Sequence, residues 1–126
     1  MNRIVPFLFA LLLSCALSAQ KDSPCTATVD NVAEFHGQIV EFCGTPTAVS
    51  APEVGKVKGD PVYLNFGGAY PDHTFAVVIW EDVSGKQRAK LVKRYSEKEL
   101  HVKGMVKIRN GKPELVVRDL KDIVVK

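Results

Sequence analysis

Two β-type runs joined by a glycine- and proline-containing connector, Asp60 to Trp80, constrain this chain more than any other feature. Val62–Phe66 and Thr74–Trp80 are rich in branched and aromatic side chains, which suit a pleated, half-buried surface. Between them, Gly67-Gly68-Ala69-Tyr70-Pro71-Asp72-His73 supplies two glycines for unusual backbone angles and a proline that removes a ladder donor. The arrangement predicts a hairpin with a seven-residue loop. By alternation, Val62, Leu64 and Phe66 share one face of the first run, and Tyr63 and Asn65 share the other. That second face carries groups able to bind something.

The remainder supplies partners for this hairpin. Thr28 and Asp30 are both N-cap residues for a short helix through about His36, with Val29, Val32, Ala33 and His36 on one face and Gly37 at its end. Such a helix would plug the base of a barrel, with His36 packed against it. Ile39 to Val49 predicts a long first strand, Val40 and Phe42 on one face and Glu41 and Cys43 on the other. Gly44 permits a sharp bend there, and Pro46 marks interrupted pairing. Ser50 to Gly59, with Pro52, Gly55, Gly59, Lys56 and Lys58, predicts a mobile loop. After Trp80, a polar run leads into a candidate helix from about Lys86 to Arg94, with Ala89, Leu91, Val92 and Tyr95 as apolar contacts. Glu99 to Ile108 predicts the fourth strand, Val102, Val106 and Ile108 on one side and His101, Lys103, Met105 and Lys107 on the other. Asn110-Gly111 is the strongest short-range hairpin signal in the chain, because the favoured two-residue turn needs positive φ at both positions. Pro113 to Arg118 is then the fifth strand, and Leu120 to Val125 a closing tail. The expectation is an all-β fold: a five-stranded Greek-key barrel with a short N-terminal helix and a candidate helix between strands three and four.

Several segments also carry a family pattern. Gly37-Gln38-Ile39-Val40, Cys43-Gly44, Pro61-Val62-Tyr63-Leu64-Asn65-Phe66-Gly67, Tyr70-Pro71, Phe75-Ala76-Val77-Val78-Ile79-Trp80, Val102-Lys103-Gly104 and Gly111-Lys112-Pro113-Glu114 together resemble small bacterial OB-fold (oligonucleotide/oligosaccharide-binding) domains. Such domains occur alone after a signal peptide or appended to thermonuclease-type proteins. The resemblance runs from roughly Val32 to Val124. It implies the OB barrel, in which the loop after the first strand helps to frame a ligand face. It implies activity only loosely, since one fold hosts many functions.

The 126 residues suffice for one domain with a real core, and 46% hydrophobic with 25% charged residues is ordinary globular composition. Met1-Asn2-Arg3 followed by the apolar run Ile4 to Leu13 and the small residues of Ala16-Leu17-Ser18 reads as an export signal over residues 1–18, cleaved near Ser18 or Ala19. The apolar run falls short of the roughly 20 residues of a membrane span. Residues 19–31 then form a polar lead-in and 32–126 the OB domain, with a periplasmic or secreted location and no transmembrane span in the mature chain. Leu12-Leu13-Ser14-Cys15 is an imperfect lipoprotein box, with Leu13 where a smaller residue is usual, so lipid anchoring is the less favoured form. Without Cys15, Cys25 and Cys43 remain as an even pair, which in an exported domain reads as a disulfide, with two buried thiols as the alternative. No C-x-x-C occurs, and His36, His73 and His101 have no metal-ligand spacing with the cysteines, so neither zinc nor any cofactor is expected.

Charge is informative by segment. The chain has 17 basic and 14 acidic residues, a balance close to neutral. Ser84 to Lys112 holds ten of the basic residues against only Glu97 and Glu99. Such a segment can attract a polyanion, though a solvated lysine-rich helix beside a charge-protected edge strand has the same composition. Single-strand binding also needs aromatic groups beside the cations, for base stacking. Tyr63, Tyr70 and His73 are stacking candidates, with Asn65 as a hydrogen-bonding neighbour. Lys56, Lys58, Arg109 and Lys112 would supply the flanking loops, and Lys103 and Lys107 the basic face of the fourth strand. Phe66 and Phe75 belong to the core, whereas Trp80 fits either the core or the binding face.

Catalysis finds little support: there is no Gly-x-Ser-x-Gly, no phosphate-cradling loop and no His-Glu-x-x-His. Asp60, Asp72, Asp82, Asp119 and Asp122 do not reproduce a thermonuclease carboxylate set, and Asp72 with His73 is the least unsuitable active pair. The sequence therefore predicts a non-enzymatic binding module for single-stranded nucleic acid or another polyanion, using the face of strands two and three. A protein- or saccharide-binding accessory of an envelope complex is the alternative, and a nuclease-like enzyme the third reading.

Overall fold

The structure, a computed structural model, describes residues 24–126. The signal segment, Cys15 and the cleavage site lie outside the described residues. Strand β1 is Ile39–Gly44, β2 Ala48–Ser50, β3 Val62–Phe66, β4 Phe75–Ile79, β5 Leu100–Arg109, β6 Lys112–Val117 and β7 Ile123–Val125. Between β4 and β5 lie the single turn α1, Glu81–Ser84, and helix α2, Arg88–Tyr95.

The strands form one sheet in the order β1-β5-β6-β4-β3-β2, with β7 added alongside β5. Every pairing is antiparallel except β4 with β6. The expected five strands become seven because the first strand is broken at residues 45–47, where Pro46 cannot donate to a ladder, and because the tail pairs as β7. The two halves, β1 and β2, pair with β5 and β3 at opposite ends of the path, so one bent strand closes the barrel. β3 and β4 are thus the second and third barrel strands.

Alternation places Val62, Leu64 and Phe66 inside, all fully buried. Phe42, Phe66 and Phe75 meet at the centre with ring centroids 4.5–5.5 Å apart, a spacing suited to edge and tilted aromatic contacts. Leu91 and Tyr95 of α2 are buried into the same core. Ala89, expected to pack, is exposed instead, because a single turn at Gly85–Gln87 precedes α2 and sets its face. In the β5–β6 turn Asn110 has φ 52° and Gly111 φ 81°, the left-handed pair that the Asn-Gly signal predicts.

Five further local expectations are corrected. The N-terminal helix is only a 3-10 turn, Val32–Phe35, because the next backbone groups are captured by β5: Gly37 N–H donates to Val106 O at 2.8 Å and Val106 N–H to Gln38 O at 3.0 Å. Its Thr28 N–H donates to the Asn31 side chain, so neither Thr28 nor Asp30 acts as the side-chain cap, and His36 is exposed rather than packed. Ile108 is exposed, since the β5–β6 hairpin projects beyond the core there. The loop from 51 to 61 is held, not free: the Arg88 guanidinium donates to the carbonyls of Pro52, Asp60 and Pro61, and Asp60 accepts from Gly55 N–H.

Cys25 and Cys43 form a disulfide, fastening the lead-in to β1, where Ala27 also bridges Phe42. With the cysteines at a sequence separation of 18, the chain-entropy model assigns it about 3 kcal/mol of stabilisation. It is consistent with an oxidising compartment. No helix among the described residues is long and apolar enough to cross a membrane.

Candidate nucleic-acid interface

The outward face of the barrel is set by cross-strand register. Asn65 lies opposite Ala76, Ala76 opposite Glu114, and Glu114 opposite Lys107, so one row crosses β3, β4, β6 and β5. The next row runs Tyr63, Val78, Val116, Met105 and Ile39. Small or buried residues on β4 leave a depression walled by the β2–β3 loop, the β3–β4 connector and the β5–β6 hairpin. This groove has a volume of about 700 Å³. It brings together Tyr63, Asn65, Tyr70, His73, Arg109 and Lys112, six of the residues expected from sequence.

The connector is well anchored. Gly68 N–H donates to Thr47 Oγ1 at 2.9 Å, the Thr47 hydroxyl faces the carbonyls of Asn65 and Gly68 at 3.0 Å, and Lys112 Nζ donates to Pro71 O. It presents Tyr70, 78% exposed, stacked on His73 with ring planes 25° apart. Burial, reinforced by the nearby Lys112 ammonium, lowers the His73 pKa below its ordinary value. Among the described residues the buried His73 Nδ1 atom has no hydrogen-bond partner.

At the opposite wall Arg109 Nε donates to Glu114 Oε1 at 3.1 Å, and its guanidinium carbon lies 5.8 Å from the Trp80 ring centroid. Trp80 is half-buried on the outer face rather than in the core, and it borders a neighbouring depression, not this groove. It fits there because Gly59 has no side chain; a Cβ at that position would lie 2.8 Å from the indole, at a backbone φ of +85°. Burial raises the Glu114 carboxyl pKa, with Arg109 and Lys107 opposing the shift. Burial raises the Tyr63 hydroxyl as well, helped by the Glu114 charge. Tyr63 thus stays neutral as a ring with an amphipathic edge.

Lys56 and Lys58 are exposed on the loop that walls the groove but do not line it, whereas Val57 between them does. Lys103 and Lys107 open onto a neighbouring groove rather than this one. Of the basic segment, Arg88 is engaged in holding the loop, and Lys86, Lys90, Lys93, Arg94 and Lys98 line none of these grooves. Sequence reasoning missed Glu114 as a groove residue, although alternation from Lys112 places it on the same face. It also missed Arg118, whereas the wall formed by Ser50 and Pro52 belongs to the loop expected to frame the ligand face.

A second cluster lies away from the groove. His101 stands directly opposite Cys43 in the β1–β5 ladder, and both sulfurs and a His101 ring nitrogen lie within 4.8 Å of one another. The two sulfurs are joined to each other, and His101 Nε2 is 2.8 Å from Glu41 Oε1.

Solved structures with similar folds were found. Asparaginyl-tRNA synthetase from Pyrococcus horikoshii matches at 21% identity with a TM-score of 0.53, over 79% of this chain. The chain spans only 22% of that synthetase. OBody AM1L10, in a structure bound to hen egg-white lysozyme, matches at 15% identity and a TM-score of 0.57, covering 85% of this chain and 98% of the OBody. OBody AM2EP06, also bound to hen egg-white lysozyme, matches at 13% identity and a TM-score of 0.56. No protein-family model and no curated protein matches the sequence. These likenesses establish the fold, an OB-type barrel, and leave the ligand to be argued from the groove.

Proposed function

We propose that this chain is an exported, non-enzymatic module that binds single-stranded nucleic acid in the Tyr63 groove. The observation that carries this reading is the coincidence of open aromatic surfaces with cations on one concave face. Tyr63 and the Tyr70–His73 stack offer π-faces, while Arg109 and Lys112 stand at the hairpin edge. Stacking tolerates any base and is worth about 1–3 kcal/mol each, and phosphate neutralisation adds a salt-sensitive term. Asn65 would supply hydrogen bonds to a base edge. The likeness to a region of a tRNA synthetase is compatible with this reading but too distant to carry it. No redox or metal cofactor enters the proposal; binding alone is the activity.

The test is fluorescence anisotropy of a labelled mixed-sequence single strand, titrated at low and moderate salt with duplex DNA alongside. Saturable binding that prefers the single strand and weakens steeply with salt supports the proposal; its absence at low salt removes it. A protein or saccharide partner is the second reading, favoured by the largely exposed Tyr70 beside the neutral Tyr63–Asn65 face and by the OBody neighbours, which are bound to lysozyme. Binding that ignores salt and requires Tyr63 would select it.

A further inference from the structure

The outer row that begins at Tyr63 does not end at the groove. It continues through Val78 and Val116 to Met105 and Ile39, crossing five strands in continuous register. Four inter-strand steps of about 4.8 Å make this lane about 19 Å long. Its far end is a second groove of about 290 Å³ with an apolar floor, where Met105 is 40% and Ile39 64% exposed. Exposed apolar side chains in adjacent register are a surface that water solvates poorly. Lys103 and Lys107 flank Met105 on the same face of β5, and Arg118, just past the end of β6, lines the same groove two residues beyond Val116. Among the described residues none of these three cations forms an ion pair. Asp122 is the one acid that lines this groove.

Continuity with the first groove is provided by shared walls. A shallow intermediate depression contains Trp80, Arg109 and Glu114 on one side and Lys107, Val116 and Arg118 on the other. The far part of the lane has an apolar floor with Lys103 and Arg118 on one margin and Lys107 on the other, which matches the chemistry of a single strand, whose bases want an apolar floor and whose phosphates want positive charge beside it. A protein partner would bury the same floor but would leave three unpaired cations to be matched.

We infer that the bound strand extends from Tyr63 across β6 and β5 to a second subsite formed by Met105, Ile39, Lys103, Lys107 and Arg118. The inference rests on the single-strand reading of the first groove. It makes the footprint longer than that groove alone, well inside the range of about 4–16 nucleotides per OB-fold.

The experiment compares a single strand of about four nucleotides with one of about ten, using the wild-type mature chain and the double variant Lys103→Ala, Arg118→Ala. Wild-type affinity should rise at least tenfold with the longer strand. The double variant should lose that gain, and its salt slope for the long strand should fall by about 1.4, from two lost phosphate contacts at about 0.7 each. Its affinity for the short strand should equal that of the wild type, which also shows that the barrel is intact. If the short strand binds and length adds nothing, or the double variant keeps the full gain, the second subsite is refuted while the first groove stands. If neither strand binds, both readings fall together.

Discussion

Replacing Glu114 by glutamine should tighten nucleic-acid binding, the opposite sign from most changes in a binding site. Glu114 lies in the groove between Ala76 and Lys107, its side chain only 13% exposed, and it neutralises Arg109 through the 3.1 Å contact. A phosphate about 7 Å from that carboxylate would be repelled by roughly 2 kcal/mol at an effective dielectric of 20, and by about 0.6 kcal/mol in water. An intermediate value near 1 kcal/mol corresponds to about fivefold in Kd. Glutamine keeps an oxygen that can accept from Arg109 Nε, so the wall should hold its shape. Stability should not suffer either. Burial raises the folded-state pKa of Glu114, so this group's contribution is fully present below its unfolded pKa and is lost as pH rises through the folded value. Glutamine mimics the protonated form that folding prefers. For the same reason wild-type binding should strengthen as pH falls towards the carboxylate range, an increment that the glutamine variant lacks. Anisotropy titrations of both proteins across pH, with thermal melts as controls, measure this. An unchanged or weaker Kd in a normally folded Glu114→Gln would refute the placement of a polyanion over this residue.

Other changes should act more conventionally. Tyr63→Ala should weaken single-strand binding by about 5- to 150-fold irrespective of base sequence, the range set by one lost stack, as read by anisotropy with homopolymers. Arg88→Ala removes the donor that joins α2 to Pro52, Asp60 and Pro61, and should cost about 2–3 kcal/mol in a denaturant titration while also weakening ligand binding through loss of the loop wall. Reduction of the Cys25–Cys43 bridge should lower stability by about 3 kcal/mol, measured by unfolding with and without a reductant. Gly104→Ala places a Cβ 2.2 Å from Leu115 Cδ2 and should destabilise by about 1–3 kcal/mol through overpacking, as read by thermal or denaturant unfolding.

The barrel was legible where local chemistry and tertiary demand agree. Alternation in Val62–Phe66, the Asn110-Gly111 turn and the break at Pro46 all act over a few residues, so sequence alone carries them. β4 shows the limit: all five residues are buried, so inward Val77 and outward Val78 cannot be told apart by polarity. Arg88 reads as one more cation of a basic segment until three carbonyls from a distant loop converge on it. His101 gains its neighbours Glu41 and Cys43 only through strand register, at a separation that no spacing rule covers. Trp80 was undecidable because its position depends on an absent side chain at Gly59. At the candidate site, the aromatic and basic residues were visible as types, but their sorting into two grooves follows from position along the β5–β6 hairpin, Arg109 and Lys112 at its turn end and Lys103, Lys107 and Arg118 further from it.

The most direct test of the central claim is a backbone amide NMR titration of the mature chain with a mixed-sequence single strand, because it separates the groove from the basic helix. The account predicts shifts in β3, in the connector around Tyr70 and His73 and in the hairpin from Arg109 to Glu114, joined by Met105 and Ile39 when the strand is long enough to reach them. Shifts centred on Lys90, Lys93 and Arg94 of α2, with the Tyr63 region undisturbed, would contradict it.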